Sequence, residues 1–427
     1  MTTREGLLRW IIRALAVLIV GLSALAVGTP ANAEGETLSG RMVISQTNEA
    51  VDGVKITVTT AAGEPVAALT SNKEGKFRTP LPGPGSYTVT MDPKTLPDGI
   101  ELVDKSAVTK NVDVEPGGFQ AVAFRLTDGS SLQPEKETQV FQLLFEGLRF
   151  GLIIAITAIG LSLIFGTTGL TNFAHGELVA YGAFAAWFVN VTLGAPLWLA
   201  TLVAIVAGGA LGALSEYGLW RPLRKRRVGL ISALVASIGL SILMRHLLLI
   251  FVGGGTESYD VPAETETDYG LVSATQRDLI AMMICVVVLI GIALLLQRTR
   301  IGTAMRAVAD NRDLAESSGI DVNRVILMVW IMGGALAALG GVLYGWTLDL
   351  RYDMGFALLL MMFAGVTLGG LGTAYGALLG SLLVGVIVQM STLVLPNDVK
   401  YASGLAVLIG VLLIRPSGLL GKKQRVG

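Results

Sequence analysis

One cysteine, two histidines and few charges leave several chemistries without reagents. Cys285 stands alone in an apolar run, so no internal disulfide can form. His175 and His246 are too few and too far apart in sequence to build a Cys/His metal set. Asp, Glu, Lys and Arg make up 15% of the 427 residues, against about 25% in an ordinary soluble domain. Basic and acidic residues balance at 32 each, so there is no global basic field to hold nucleic acid. A G-x-x-x-x-G-K-[ST] phosphate loop is missing, and Gly421-Lys422-Lys423 does not fit one, so ATP hydrolysis would belong to another chain. No convergent set of acid, base or metal ligands points to an enzyme or to a bound cofactor. What is plentiful is apolar: 52% of residues are AVILMFWYC, and 53 are glycine. Charges gather in short segments between long apolar runs, which is membrane-protein composition. Glycine in such helices permits close packing and local unwinding.

The amino terminus reads as a targeting segment. Arg4, Arg9 and Arg13 precede an apolar stretch from Ala14 to Val27, and Ala31-Asn32-Ala33 gives a small-x-small cleavage pattern. Residues 1–33 are expected to be a signal peptide cut before Glu34, with an uncleaved signal anchor as the alternative. Either places residues 34–128 outside the cytoplasm. There, Val54-Lys55-Ile56-Thr57-Val58-Thr59 and Tyr87-Thr88-Val89-Thr90-Met91 alternate or are β-branched, and Gly/Pro/Asn clusters separate them. Short strands at this spacing predict a small all-β sandwich. Residues 129–139 are expected to be a polar linker.

From residue 140 onward nine apolar segments stand out: 142–165, 175–193, 196–219, 229–252, 278–297, 325–347, 355–371, 376–395 and 400–414. The expected fold is an all-α polytopic membrane bundle of about 8–9 transmembrane segments with Gly-broken helices. Several segments are short enough to be half-helices or re-entrant pieces. Basic residues cluster at Arg221 with Arg224–Arg227, between Arg298 and Arg324, and in the tail 421–427 (Lys422, Lys423, Arg425). The positive-inside rule makes these regions cytoplasmic, and the acidic loop 253–278 external. Nine crossings agree with an exported amino-terminal domain.

Three constellations carry functional expectations. The first break, Phe165-Gly166-Thr167-Thr168-Gly169-Leu170-Thr171-Asn172-Phe173-Ala174-His175-Gly176-Glu177, places glycines and ionisable groups between apolar segments. Such a break fits a discontinuous helix on a translocation route, with Asn172, His175 and Glu177 as path candidates. It also fits a cytoplasmic turn in which Asn172 caps a helix. The second break holds Gly369, Gly370, Gly372 and Gly376 at a similar place in the second half, and paired Gly-interrupted segments point to a transport site. Glycines that serve only helix packing are the alternative. The third is residues 300–324. Ile301, Met305 and Val308 share one helical face, Arg306 and Asp310 lie off it, Asp310 could cap a second short helix, and Gly319 is a stop signal. A short helix pair of this kind would dock another protein. Elsewhere, Glu146 and Arg149 have i, i+3 spacing and are expected to pair. Glu216 should pair near the basic loop, and Arg245 and His246 should face protein or water rather than lipid.

These motifs carry a resemblance. Thr171-Asn172-Phe173-Ala174-His175-Gly176-Glu177 resembles the N-F-A-H-G-E signature of the branched-chain amino acid permease family of ATP-binding-cassette (ABC) importers. Residues 300–311, with Ala315-Glu316-Ser317-Ser318-Gly319-Ile320, resemble that family's cytoplasmic coupling segment, which contacts the ATPase. Gly369-Gly370-Leu371-Gly372-Thr373 with Gly376-Ala377 resembles its carboxy-proximal glycine motif. The resemblance covers residues 141–420. It implies a non-enzymatic permease in the bacterial plasma membrane, with ATP used by a partner ATPase. It implies a second permease, identical or related, two ATPase subunits and an extracellular substrate-binding protein as partners. Ile301, Gly302, Met305, Arg306, Ala315, Glu316 and Gly319 become ATPase-coupling candidates. Urea and short-amide permeases share these motifs, and an ion-coupled secondary transporter is the rival of another class. Residues 71–87 resemble carboxypeptidase-regulatory-like sandwiches, in which a turn glycine precedes an aromatic strand residue and a Pro-Gly turn precedes a tyrosine. The usual family permease lacks such a domain.

Overall fold

The computed structural model describes residues 37–420, apart from 45–49, 61–62, 74, 98, 103–107, 115–118, 128–135, 263, 265, 397–398 and 415–417. The expected signal peptide, residues 129–135 of the expected linker and the basic tail lie outside the described residues. Residues 136–139, also expected in the linker, instead open the first helix. The chain divides into two compact units, Met1–Gln133 and Pro134–Gly427.

The first unit is built of strands β1 (Thr37–Ile44), β2 (Lys55–Thr60), β3 (Pro65–Thr70), β4 (Lys76–Pro80), β5 (Gly85–Met91), β6 (Glu101–Leu102), β7 (Thr109–Val114) and β8 (Phe119–Thr127). Alternation makes them strands: β2 buries Ile56 and Val58 and exposes Lys55 and Thr57, the period of two that puts one face inward. One sheet has the order β4-β1-β8-β6 and the other β3-β2-β5-β7. β1 and β8 run parallel, and the remaining pairs in these sheets are antiparallel. Leu38 and Phe124 of the first sheet and Ile56 and Val89 of the second share one apolar core. Phe77 and Tyr87, the aromatics that the turn motifs precede, both enter it. The Tyr87 hydroxyl donates to the Gly83 carbonyl at 2.5 Å and ties turn to strand. Gly75 has φ +70°, and a Cβ there would stand 2.3 Å from the Met42 carbonyl oxygen, so this turn requires glycine.

The second unit is helical: α1 (Lys136–Thr168), α2 (His175–Trp187), α3 (Leu197–Ser215), α4 (Arg221–Lys225), α5 (Leu230–Val252), α6 (Gln276–Arg298), α7 (Arg300–Asp310), α8 (Arg312–Ser317), α9 (Val322–Thr347), α10 (Met354–Gly369), α11 (Ala374–Met390) and α12 (Lys400–Ile414). π-Helical turns extend α2 over Phe188–Thr192 and join α3 to α4 over Glu216–Trp220. All the apolar segments read from the sequence fall on helices. Among the described residues six stretches are long and apolar enough to cross a membrane: Gln139–Thr168, Leu197–Lys225, Leu230–Val252, Gln276–Arg298, Val322–Thr347 and Ala374–Leu393. α2, α10 and α12 have only 13, 16 and 15 residues. At about 1.5 Å per residue none of the three spans a hydrocarbon core of about 30 Å unaided.

Burial ranks the helices. The apolar windows of α1 and α9 are 83% and 72% buried, whereas those of α5 and α6 are 17% and 22% buried. α1 and α9 therefore form the centre, with α11 against α1 and with α2 and α3 against α9. Glycines close the seams: a Cβ on Gly385 would meet Gly151 Cα at 2.4 Å, and one on Gly160 would meet the Gly333 oxygen at 2.9 Å. In lipid, where burial supplies no driving force between helices, such close approach is what holds them.

Several expected pairings change. Arg149 pairs with Asp278 at 2.5 Å rather than with Glu146, because Asp278 sits in the capping box that opens α6 and faces α1. Glu146 instead accepts from Gln142 and Gln389, at 3.2 and 2.9 Å. Glu216 pairs with Arg224 through both carboxylate oxygens, as expected near the basic loop. His246 lies on the exposed side of α5, with Nδ1 satisfied by the Ile242 carbonyl at 2.8 Å.

Candidate functional site

α1 ends at Thr168, and Gly169, with φ +69°, turns the chain back. His175 Nε2 then lies 3.2 Å from the Thr157 carbonyl oxygen, a point about 16 Å back from the end of α1 at 1.5 Å per residue. α2 thus begins inside the bundle and not at its edge. Asn172 shapes the approach: its Oδ1 accepts from the Ala174 amide at 3.1 Å, an Asx turn. It does not cap α2 from the N-cap position, which is Ala174 and has no side-chain cap.

Glu177 falls in the first turn of α2 with no exposed surface. Its Oε1 accepts from Ser241 Oγ at 2.8 Å, Arg245 Nη2 at 3.0 Å and Arg245 Nε at 3.3 Å. Burying an ionised carboxylate is costly unless it is paired, and this fork supplies the pairing. Glu177 Oε2 and His175 Nδ1 have no hydrogen-bond partner among the described residues. Ser237 Oγ accepts from the Phe173 amide at 3.1 Å. Ser237, Ser241 and Arg245, at i, i+4 and i+8, therefore form a polar stripe on α5 facing the start of α2. Sequence reasoning had Arg245 facing protein or water but missed the two serines. The signal was available in their spacing within an apolar helix. α10 completes the cluster. The Arg245 guanidinium lies 4.3 Å over the Phe356 ring. A Cβ on Gly176 would stand 2.3 Å from the Gly355 oxygen, so the first turns of α2 and α10 abut through glycine backbones.

The second break is a tight turn between α10 and α11. Gly370 and Gly372 have φ +116° and +80°, and a Cβ on Gly369 would sit 1.7 Å from the Gly376 oxygen. The turn docks on α1: Ser162 Oγ donates to the Thr373 carbonyl at 3.1 Å, and Gly372 packs on Gly166. Leu419 and Leu420 amides donate to the carbonyls of Leu368 and Gly369 at 2.7 and 2.9 Å, holding the turn from the other side. The two breaks meet at the carboxy-terminal end of α1. Asn172, His175 and Glu177 gather at the start of α2, apart from the cluster Gly369, Gly370, Gly372 and Gly376.

α7 and α8 form the helix pair expected between the basic residues. Thr299 caps α7 by accepting from Gly302 N at 3.0 Å. Asn311, not Asp310, caps α8 by accepting from Leu314 N at 3.0 Å, because Asp310 is still the last residue of α7. Gly319, with φ +86°, ends α8. Met305, Val308 and Ala315 are buried against Trp330 and Ile326 of α9, whereas Ile301 is 43% exposed. The buried face of α7 is thus Gly302, Met305 and Val308. Ile301 turns outward because Gly302, which leaves no room for a Cβ against Leu295 and Leu296, takes the contact with α6. Arg306, Leu314, Glu316 and Gly319 are exposed.

Residues 143–414 match the family described as "Branched-chain amino acid transport system / permease component". That range contains both breaks, the α2–α5–α10 cluster and the α7–α8 pair. The chain is 30% identical over 304 residues to the high-affinity branched-chain amino acid transport system permease protein LivH of Salmonella typhimurium, covering 66% of this chain and 96% of that protein. It is 31% identical over 300 residues to the corresponding protein BraD of Pseudomonas aeruginosa, with 66% and 96% covered. The probable branched-chain amino acid transport permease protein LivH of Methanocaldococcus jannaschii is 28% identical over 296 residues, with 66% and 92% covered. On this extent of matching, the chain belongs to the permease-component family of branched-chain amino acid transport systems.

Proposed function

We infer that this chain is the membrane-spanning permease subunit of an ABC importer for branched-chain amino acids, driven by ATP hydrolysis on a partner subunit. The observation that carries the reading is the family match over 143–414. It falls on a bundle that contains interrupted helices and that presents a capped, well-anchored helix pair with an exposed outer face. The relatives' names supply the substrate class. ATP-driven closure of two ATPases would press on Ile301, Arg306, Leu314 and Glu316, and Met305, Val308 and Ala315 would pass the movement to α9. Partners can shift the bundle between outward- and inward-open forms only by binding the two forms differently. Asn172, His175, Glu177 and the glycines 369, 370, 372 and 376 belong, in this reading, to the moving route.

A second permease, two ATPases and an extracellular binding protein complete the assembly. The positive-inside rule puts Arg224–Arg227 and residues 298–324 in the cytoplasm of a bacterial cell, and the 253–278 loop and the amino-terminal unit outside. Two four-stranded sheets sharing one core support a sandwich of the carboxypeptidase-regulatory-like kind. Its role would be to steady the binding protein. Deleting residues 34–138 should then weaken binding-protein affinity and uptake, and unaltered values for both would rule that role out.

The test of substrate class is competition. Cells lacking this chain should lose high-affinity leucine uptake and regain it on complementation, with isoleucine and valine competing. Competition by urea or acetamide instead would move the assignment to the amide permeases.

A further inference from the structure

The cluster at the start of α2 has an arrangement that the permease reading alone does not explain. Arg245 holds Glu177 through Nε and Nη2 only, both on Oε1. Among the described residues Arg245 hydrogen-bonds through Nε and Nη2, the latter also to Ser241 Oγ at 3.4 Å, and not through Nη1, while Glu177 Oε2 is buried with no partner. The parallel two-bond fork frequent in Arg–carboxylate pairs would satisfy both oxygens, and this pair does not adopt it. One donor of the cation and one buried oxygen of the anion are thus left unused within the pair. The Arg245 side chain is 19% exposed and Glu177 0%, so the cation is reached first and the carboxylate lies behind it.

Beside the pair runs an apolar strip. α10 is buried at Leu358, Leu359, Met361 and Met362, but Phe356 is 37% exposed, and Leu360 and Phe363 are only partly buried. Their spacing of i, i+4 and i+7 places all three on one face. The strip starts under the Arg245 guanidinium at Phe356 and ends where Phe363 meets Phe173, ring centroids 5.0 Å apart, on the approach to α2.

We propose that Glu177 and Arg245, with Phe356, Leu360 and Phe363, form a transit subsite for a zwitterionic amino acid with an apolar side chain. The α-carboxylate is taken by Arg245, the α-ammonium by Glu177 Oε2, and the side chain lies along the strip. The inference rests on the amino acid permease reading and deepens it. A zwitterion matches an ion pair with one free donor and one free acceptor: it can exchange one internal contact for two external ones without leaving a charge unpaired. An uncharged amide such as urea offers neither charge, and a simple amine or a simple carboxylate would leave one member of the pair bare.

The test uses the full transporter, with ATPases and binding protein, in proteoliposomes, and reads leucine moved per ATP hydrolysed per assembled complex. Losing a charge-assisted contact to the passing substrate should lower this ratio by about tenfold or more in Arg245→Gln and in Glu177→Gln, with Arg245→Lys in between. The double variant Glu177→Gln/Arg245→Gln removes both charges and so leaves no bare buried ion; it should stay as low as the singles. A double variant that couples like the parent overturns the subsite and leaves a structural pair. Phe356→Asp, at a half-open position that does not test the pair's own folding, places a competing carboxylate beside Arg245. It should lower the ratio similarly, and an unchanged ratio overturns the proposal even if the double variant fails to assemble. A parent complex that moves no apolar amino acid would defeat the amino acid reading itself, an outcome distinct from both.

Discussion

Among the described residues Glu177 has one oxygen that accepts three hydrogen bonds and one that accepts none, and its side chain has no exposed surface. Taking away Arg245 would leave that carboxylate buried without a counter-charge, held by Ser241. We expect Arg245→Ala to cost about 3–5 kcal/mol of stability, seen as a lower melting temperature of the purified permease, and Glu177→Gln/Arg245→Met to recover most of it. Equal melting of the single and double variants would show that the pair is not coupled. Glycines give a second contrast at this scale. Gly369→Ala would drive a Cβ to 1.7 Å from the Gly376 oxygen, whereas nothing lies within 4 Å of a Cβ on Gly239. The first should abolish folded yield from the membrane fraction and the second should leave it unchanged. Gly239 and Gly385, each a lone glycine in an apolar run, look alike in the sequence, yet only a Cβ on Gly385 would clash, so glycine content signals packing without saying which glycines do it. Asn172, His175 and Glu177 stood out because polar and ionisable groups between apolar runs are costly. Ser241, which fills Glu177, did not, since a serine in an apolar helix is unremarkable until its spacing from Ser237 and Arg245 is set against a neighbour.

At the scale of elements, the apolar runs fixed helix positions well, and lengths identified some as too short to cross alone. That α2 and α10 are the short pair that meets by its first turns was not legible, because it depends on the chain folding back after Gly169 along α1. Local spacing also misled once: the i, i+3 relation of Glu146 and Arg149 lost to Asp278, which the capping box of α6 holds at 2.5 Å from Arg149. α7 and α8 divide their residues sharply between an anchored and an open face. Leu314 is 64% exposed and Met305 2%. Leu314→Glu should therefore reduce co-purification of the ATPase while leaving the melting temperature unchanged. Met305→Glu should instead lower folded yield, since it buries a charge without a partner. Loss of ATPase association in neither variant would remove this helix pair from the docking surface.

For the whole molecule, the family match gives the class, and the charge distribution is the independent support for the proposed orientation. The amino-terminal unit lies outside the matched range, and its strands were expected from alternation and from the turn clusters between them. Its purpose was not, because a strand pattern carries no information on partners. Orientation is open to a simple probe. The one cysteine, Cys285, is buried, so Glu316→Cys adds a single exposed thiol. A membrane-impermeant maleimide should label it in inverted vesicles and not in intact cells, and the reverse would invert the assigned topology.

The central claim is that a separate ATPase drives this bundle. Its most direct test is leucine accumulation in proteoliposomes carrying the permease with or without the ATPase subunits, with binding protein present and either ATP or an ion gradient supplied. The account predicts accumulation only when ATPase and ATP are both present. Accumulation by the permease without the ATPase, driven by the gradient, would contradict it.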